Sequence, residues 1–179
     1  MTNKTSYLIG LIGSGIAGSL TPAMHEKEGG NLGLGYVYRR IDLQALALEP
    51  SALPDLLVAA ERMGYDGLNI TYPCKQSVIP LLDELDPDAR ALGAVNTVVL
   101  KDGKRIGYNT DGSGFARAFQ RGLPGAPLER VVQLGAGGAG AGALAPLLAA
   151  GPRRLVLVNR TRAKADALVS AVGARNSVL

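Results

Sequence analysis

A glycine-rich turn constrains this chain more than any other feature. Glu129–Leu134 (ERVVQL) has strand character and runs directly into Gly135-Ala136-Gly137-Gly138-Ala139-Gly140. Ala141–Ala150 then reads as a helix and Leu155–Val158 as a second strand. Strand, glycine turn, helix and strand in that order predict a βαβ unit with its glycines at the first turn. Such a turn can be tight and lets the backbone approach a ligand closely. The free N–H groups and positive dipole end of the next helix then favour an anion there, typically a pyrophosphate. Glycine turns without a ligand are common, and it is the order of the flanking elements that favours binding here.

The end of the second strand bears on which nucleotide would fit. NAD sites usually place Asp or Glu about twenty residues past the glycines, to bond the ribose 2′-hydroxyl. This chain has Asn159 there, followed by Arg160, Thr161, Arg162 and, two residues on, Lys164. An acid would repel a 2′-phosphate, whereas arginines bind it through charge-assisted hydrogen bonds. The residues therefore favour NADP, with an ordinary solvated helix start as the plainer reading. The charge distribution agrees. The net charge is +4, yet residues 151–179 carry six Lys/Arg against one acid, and residues 1–150 carry 13 against 14. The basic excess follows the glycine turn. No aromatic residue lies among these groups to stack bases, so nucleic acid is not the expected partner.

From Val131 to Pro152 no residue is charged, a run long enough to cross a bilayer. Its glycines, Pro146 and the change from β-branched to alanine-rich composition argue for strand, turn and helix instead. At 179 residues the chain can hold one ordinary domain, or a small one plus part of another. Its single cysteine, Cys74, excludes an internal disulfide. The polar start (MTNKTS) shows no secretory signal, so a cytoplasmic protein is expected. We expect no metal, and monomer and homodimer both stay open.

Upstream of the turn, strand and helix patterns alternate. Tyr7–Ile12, Tyr36–Asp42 and Gly67–Thr71 read as strands, and Leu20–Lys27, Pro54–Met63 and Cys74–Leu85 as helices, with Gly64 as a helix stop. Ala94–Leu100 and Arg105–Asn109 read as a hairpin turning at Asp102-Gly103. This predicts an α/β fold: a mostly parallel sheet covered by helices and closed by an antiparallel hairpin. Phe115–Arg121 reads as a connecting helix, and Gly122–Pro127 as a boundary. The expected organisation is a first domain over 1–112, a connector over 113–127 and a nucleotide-binding portion over 128–179.

Four clusters of small polar residues fall at predicted strand ends. They are Ser19-Leu20-Thr21-Pro22, the run from Asn69 to Lys75 (NITYPCK), Gly93-Ala94-Val95-Asn96-Thr97, and Asn109-Thr110-Asp111-Gly112. In open α/β sheets such ends converge on one cleft. Hydroxyls, amides, an ammonium and a carboxylate together would suit a small polyhydroxylated acid. Singly, each has a plainer reading: Ser19 and Thr21 as helix caps, Asn96 at a sheet edge, Asp111 as a turn former, Lys75 merely exposed.

Together with Gly135-Ala136-Gly137-Gly138-Ala139 and Asn159-Arg160-Thr161, these clusters resemble the shikimate/quinate dehydrogenase family, whose six motifs occur here in order over essentially the whole chain. The YRRIDL and NITYPCKQ segments look most like its bacterial quinate/shikimate branch. The resemblance implies a shikimate-binding domain followed by an NADP-binding Rossmann-type domain, and a reversible NADP-linked reduction of 3-dehydroshikimate to shikimate. It implies that Ser19 and Thr21 hold the carboxylate and that Thr71, Asn96, Lys75 and Asp111 hold ring hydroxyls, with Lys75 and Asp111 as the catalytic pair. Gly135, Ala136, Gly137, Gly138 and Ala139 would cradle the pyrophosphate, and Asn159, Arg160, Thr161, Arg162 and Lys164 the adenosine 2′-phosphate. A quinate-degrading enzyme and a non-catalytic substrate-binding relic are the alternatives. A complete dinucleotide domain needs two βαβαβ halves. Residues 128–179 account for two strands and the possible start of a third at the C-terminus, so these residues alone are not expected to transfer hydride. His25, the only histidine, is expected to be structural. Cys74, placed at a helix N-terminus beside Lys75, is expected to have a depressed pKa and to be sensitive to oxidation.

Overall fold

The computed structural model describes residues 4–171 and 173. The chain divides into two compact units, Met1–Asp86 with Gly93–Tyr108, and Pro87–Leu92 with Asn109–Leu179.

The first unit is built on β1 (Ser6–Gly13), β2 (Gly35–Asp42), β3 (Gly67–Ile70), β4 (Glu84–Leu85), β5 (Thr97–Lys101) and β6 (Lys104–Tyr108). They form one sheet in the order β2-β1-β3-β5-β6-β4. β1 pairs parallel with both β2 and β3, and β4 pairs parallel with β6, while β5 is antiparallel to β3 and β6. β1 has the continuous apolar run expected of a strand covered on both faces, and its second half is buried. The hairpin turns at Asp102-Gly103 as expected, with both residues at positive φ.

Two helices complete this unit, α1 (Thr21–Asn31) and α2 (Leu53–Arg62). α2 buries Leu53, Leu57 and Ala60, spaced for one helical face. Leu53 and Leu57 join Ile12, Leu43, Leu68, Ile70, Val78, Val95 and Val98 among the most deeply buried side chains. Each such aliphatic contributes about 1.5–3 kcal/mol by burial.

The expected helix over Cys74–Leu85 is not there. Turns lead into a 3-10 turn at Ile79–Leu81, and the chain then extends into β4. Pro80 has no N–H to give the carbonyl four residues back and its ring clashes there, which disfavours a helix running from Cys74 through it by about 3 kcal/mol. An unanticipated short helix, α3 (Pro87–Leu92), lies in the second unit. Asp86 and Pro87 are an acceptable cap and first helical residue, a legible signal.

The second unit also holds α4 (Asp111–Gly122), β7 (Arg130–Leu134), α5 (Gly138–Ala149), β8 (Arg154–Val158) and α6 (Arg162–Ala171). β7 and β8 pair in parallel across α5, which is the βαβ unit read from the sequence. The uncharged run from Val131 to Pro152 is divided among β7, the glycine turn and α5. No helix among the described residues is long and apolar enough to cross a membrane. The third-strand start read at the C-terminus lies outside the described residues.

Candidate functional site

Sheet directions in the first unit bring three loops to one end of the strands. β1 and β3 are parallel and end at Gly13 and Ile70, while antiparallel β5 begins at Thr97 opposite Asn69. The loop after β1 carries Ser19 and Thr21, the segment after β3 carries Thr71 and Lys75, and Asn96 immediately precedes β5. Backbone hydrogen bonds join these pieces. Ser14 N–H donates to Tyr72 O at 2.9 Å, Thr71 N–H to Ile12 O at 2.9 Å, and Val95 N–H to Lys75 O at 2.8 Å. The Asn96 carbonyl accepts from Ile70 N–H at 2.8 Å. Ser19 Oγ donates to Thr21 Oγ1 at 3.0 Å and accepts the Thr21 N–H at 3.3 Å. All five side chains are half-buried, neither sealed in the core nor fully in solvent.

Three residues given no role from the sequence, Tyr38, Asn69 and Thr97, orient Asn96. The hydroxyl of Tyr38 on β2 donates to Asn69 Oδ1 at 2.5 Å, which turns the Asn69 amide nitrogen toward the Asn96 carbonyl (3.3 Å) and Thr97 Oγ1 (3.1 Å). Thr97 Oγ1 then donates to Asn96 Oδ1 at 2.9 Å, so the Asn96 amide is held oxygen toward Thr97. Burial pushes the Tyr38 hydroxyl far above the ordinary tyrosine range, with a smaller contribution from Tyr36, and keeps it a donor. Asn69 stood within a quoted motif and could have been found there. Tyr38 had only its strand pattern to mark it.

Asp111 belongs to the second unit and is the first residue of α4, not a simple turn former. The buried Asn109 accepts the Asp111 N–H at 2.9 Å, closing an Asx turn that leads into α4. Opposite, α5 presents Gly142, where a Cβ would stand 2.6 Å from the Asp111 Cβ. Gly142→Ala gains about 1 kcal/mol of helix propensity but forces an overlap costing about 1–3 kcal/mol. Net destabilisation by urea denaturation is the expected result, with Asp111 displaced. A stabilised Gly142→Ala protein would show that α4 and α5 have room to spare.

The glycine turn opens α5. Gly135, at φ 107°, donates its N–H to Val158 O at 2.8 Å, and Ala136 N–H donates to Asn159 Oδ1 at 3.1 Å. Gln133, buried beneath the turn, donates to the carbonyls of Gly135 (3.0 Å) and Gly140 (2.8 Å). A Cβ on Gly140 would lie 2.2 Å from the Gly135 oxygen, so only glycine permits this closure. The exposed Gly137, Gly138 and Ala139 lead into the first turn of α5, whose N–H groups have no partners within the helix. Across from them Asn159 Nδ2 donates to Thr161 O at 2.8 Å. Arg160, Thr161, Arg162 and Lys164 are all exposed around the start of α6. This concentration of donors and cations fits an anionic nucleotide.

Cys74 corrects the sequence reading. No helix starts there, the side chain is fully buried, and burial pushes its thiol up instead of down. Alkylation by iodoacetamide should therefore be slow in the native protein and rapid in urea; equal rates would contradict this placement. His25 is half-buried near Tyr38, with ring centroids 4.9 Å apart, and burial lowers its pKa. These contacts suit a structural residue.

An α/β sheet with small polar residues at its strand ends, joined in sequence to a glycine-turn βαβ unit, defines a class of dinucleotide-linked α/β proteins. Residues 11–98 match the shikimate dehydrogenase substrate binding domain. A shikimate dehydrogenase (NADP(+)) from Streptomyces avermitilis is 57% identical over 169 residues, covering 94% of this chain and 58% of that protein. The structure of quinate dehydrogenase from Corynebacterium glutamicum in complex with NAD superimposes with a TM-score of 0.84 at 48% identity, covering 94% of this chain and 62% of that one. Shikimate 5-dehydrogenase from Thermus thermophilus, in complex with NADP(H) and shikimate, gives 0.82 at 37% identity, covering 96% and 63%. The chain is similar to these dehydrogenases over at least 94% of its own length, and spans less than two thirds of the length of these relatives.

Proposed function

We propose that the protein is a cytoplasmic NADP-linked shikimate dehydrogenase, interconverting 3-dehydroshikimate and shikimate on the route to chorismate and the aromatic amino acids. The observation that supports this reading is that the segments bearing Ser19, Thr21, Thr71, Lys75 and Asn96 lie at one end of neighbouring strands β1, β3 and β5, within a chain 57% identical to an enzyme of that name. In this reading the Thr21 hydroxyl donates to the substrate carboxylate, and the Ser19 O–H turns from Thr21 Oγ1 to the carboxylate when substrate binds. Thr71 and Asn96, with Lys75 and Asp111, bind the ring hydroxyls. Bound NADPH supplies the hydride that reduces the ketone. Lys75 returns the proton that the nascent alkoxide needs, and Asp111 orients the reacting hydroxyl; in the oxidative direction the same pair removes that proton. Gly135–Ala139 hold the pyrophosphate, and Asn159, Arg160, Thr161, Arg162 and Lys164 the 2′-phosphate.

Quinate oxidation is the second reading, favoured by the likeness to the Corynebacterium glutamicum enzyme. Quinate carries a tertiary hydroxyl where shikimate has a ring double bond, so the two place the same carboxylate and ring hydroxyls in one pocket. Steady-state assays of the protein as its gene encodes it, with shikimate or quinate and with NADP or NAD, separate the readings. Highest kcat/KM with shikimate and NADP is expected, and turnover of neither acid would refute both.

A further inference from the structure

We propose that Asp42, the last residue of β2, is a positioning residue that fixes the loop bearing Ser19 and Thr21 and thereby sets affinity for the substrate carboxylate. The inference rests on the function proposed above for that loop. Asp42 Oδ1 accepts the N–H of Gly15 at 2.9 Å and of Gln44 at 3.1 Å, and Oδ2 accepts the N–H of Ile16 at 2.9 Å. The residue is 8% exposed. A carboxylate closed off from water and satisfied by backbone donors holds those donors with charge-assisted strength.

The constraint passes from Asp42 to the hydroxyls in three short steps. Ile16 is itself buried, and its carbonyl accepts the Ser19 N–H at 3.0 Å. Ser19 Oγ in turn donates to Thr21 Oγ1 at 3.0 Å. The rest of the loop has little packing of its own: Gly15, Ala17, Gly18 and Leu20 are all exposed. The end of β2 adds two more ties, from the Arg40 guanidinium to the Ala17 carbonyl and from Leu43 N–H to Gly13 O at 2.8 Å. The loop is therefore shaped by the end of β2 more than by burial. Burial alone would raise the Asp42 carboxyl, but the N–H donors of Gly15, Ile16, Gln44 and Ala45 outweigh it and hold it below the ordinary carboxylate range.

Asp42→Asn keeps the shape, removes the charge and turns one acceptor into an NH2 group facing an N–H donor. The protein as its gene encodes it should then show a KM for shikimate raised about tenfold or more, with kcat and the KM for NADP changed little. Shikimate methyl ester, which lacks the carboxylate, should show a much smaller penalty. Amide hydrogen exchange at Ile16 and Ser19 should accelerate. Arg40→Ala should act in the same direction but less, and reads the same loop from an exposed side chain if Asp42→Asn does not fold. Unchanged exchange at Ser19, or equal penalties for shikimate and its ester, would overturn the proposal. A wild-type protein indifferent to shikimate would instead overturn the function proposed above, and the exchange measurement would still decide whether Asp42 orders the loop.

Discussion

Replacing Lys75 by alanine should lower kcat by about 10²–10⁴-fold while changing the dissociation constant of shikimate by far less, the range expected when a positioned proton donor is removed. The split follows from where Lys75 sits. Its backbone is held independently of its side chain, because its carbonyl accepts the Val95 N–H and the neighbouring Cys74 is locked in the core. Cys74 N–H also closes a turn onto Thr71 O at 2.8 Å. Truncating a half-buried side chain on so anchored a segment should leave the fold and the Ser19–Thr21 hydroxyls in place. The carboxylate contacts would then keep most of the binding, and the proton transfer alone would be lost. Single-turnover kinetics with a shikimate titration on the same variant measure the two quantities separately. Binding lost in step with an unchanged kcat would make Lys75 a binding residue only.

The fold was legible where periodicity and turn chemistry agreed. β1 announces itself by an apolar run, β2 by its Tyr and Val residues, the hairpin by Asp102-Gly103, and the βαβ unit by a glycine turn between two apolar strand segments. The segment after Cys74 was misread because apolar spacing there imitates a helix, while Pro80 removes the hydrogen bond that a helix would need. The same misreading misplaced the Cys74 thiol, whose chemistry depends on whether it caps a helix or fills a core. Candidate site residues were legible as types and order, since hydroxyls, an ammonium and amides recurred at strand ends. Their supports were not. Tyr38 and Asp42 act on other segments through contacts 31 and 26–27 residues away in sequence, and nothing local marks such a partner. Short-range patterns reveal which residues could bind, but the residues that aim them emerge only once strands are set side by side.

Asn159→Asp should weaken NADP binding by at least about 30-fold and leave NAD within a few-fold, reversing the cofactor preference. Two geometric facts make this position decisive. Asn159 Oδ1 accepts the Ala136 N–H of the glycine turn, and Nδ2 donates to Thr161 O at the entry to α6. The residue therefore links the proposed pyrophosphate cradle to the Arg160–Lys164 segment. Aspartate can keep the first bond but not the second, because it has no N–H to give. It also sets a negative charge among Arg160, Arg162 and Lys164, where a 2′-phosphate would bring its own. Two like charges about 8 Å apart at an effective dielectric constant of about 20 repel by about 2 kcal/mol, which corresponds to roughly 30-fold in affinity. NAD lacks the phosphate and offers a 2′-hydroxyl, which an acid at this point can accept. Fluorescence titration of NADPH and NADH against both proteins reads the change directly. Parallel weakening of both cofactors would mean that Asn159 serves the turn alone, and that discrimination lies wholly with the cations beyond it.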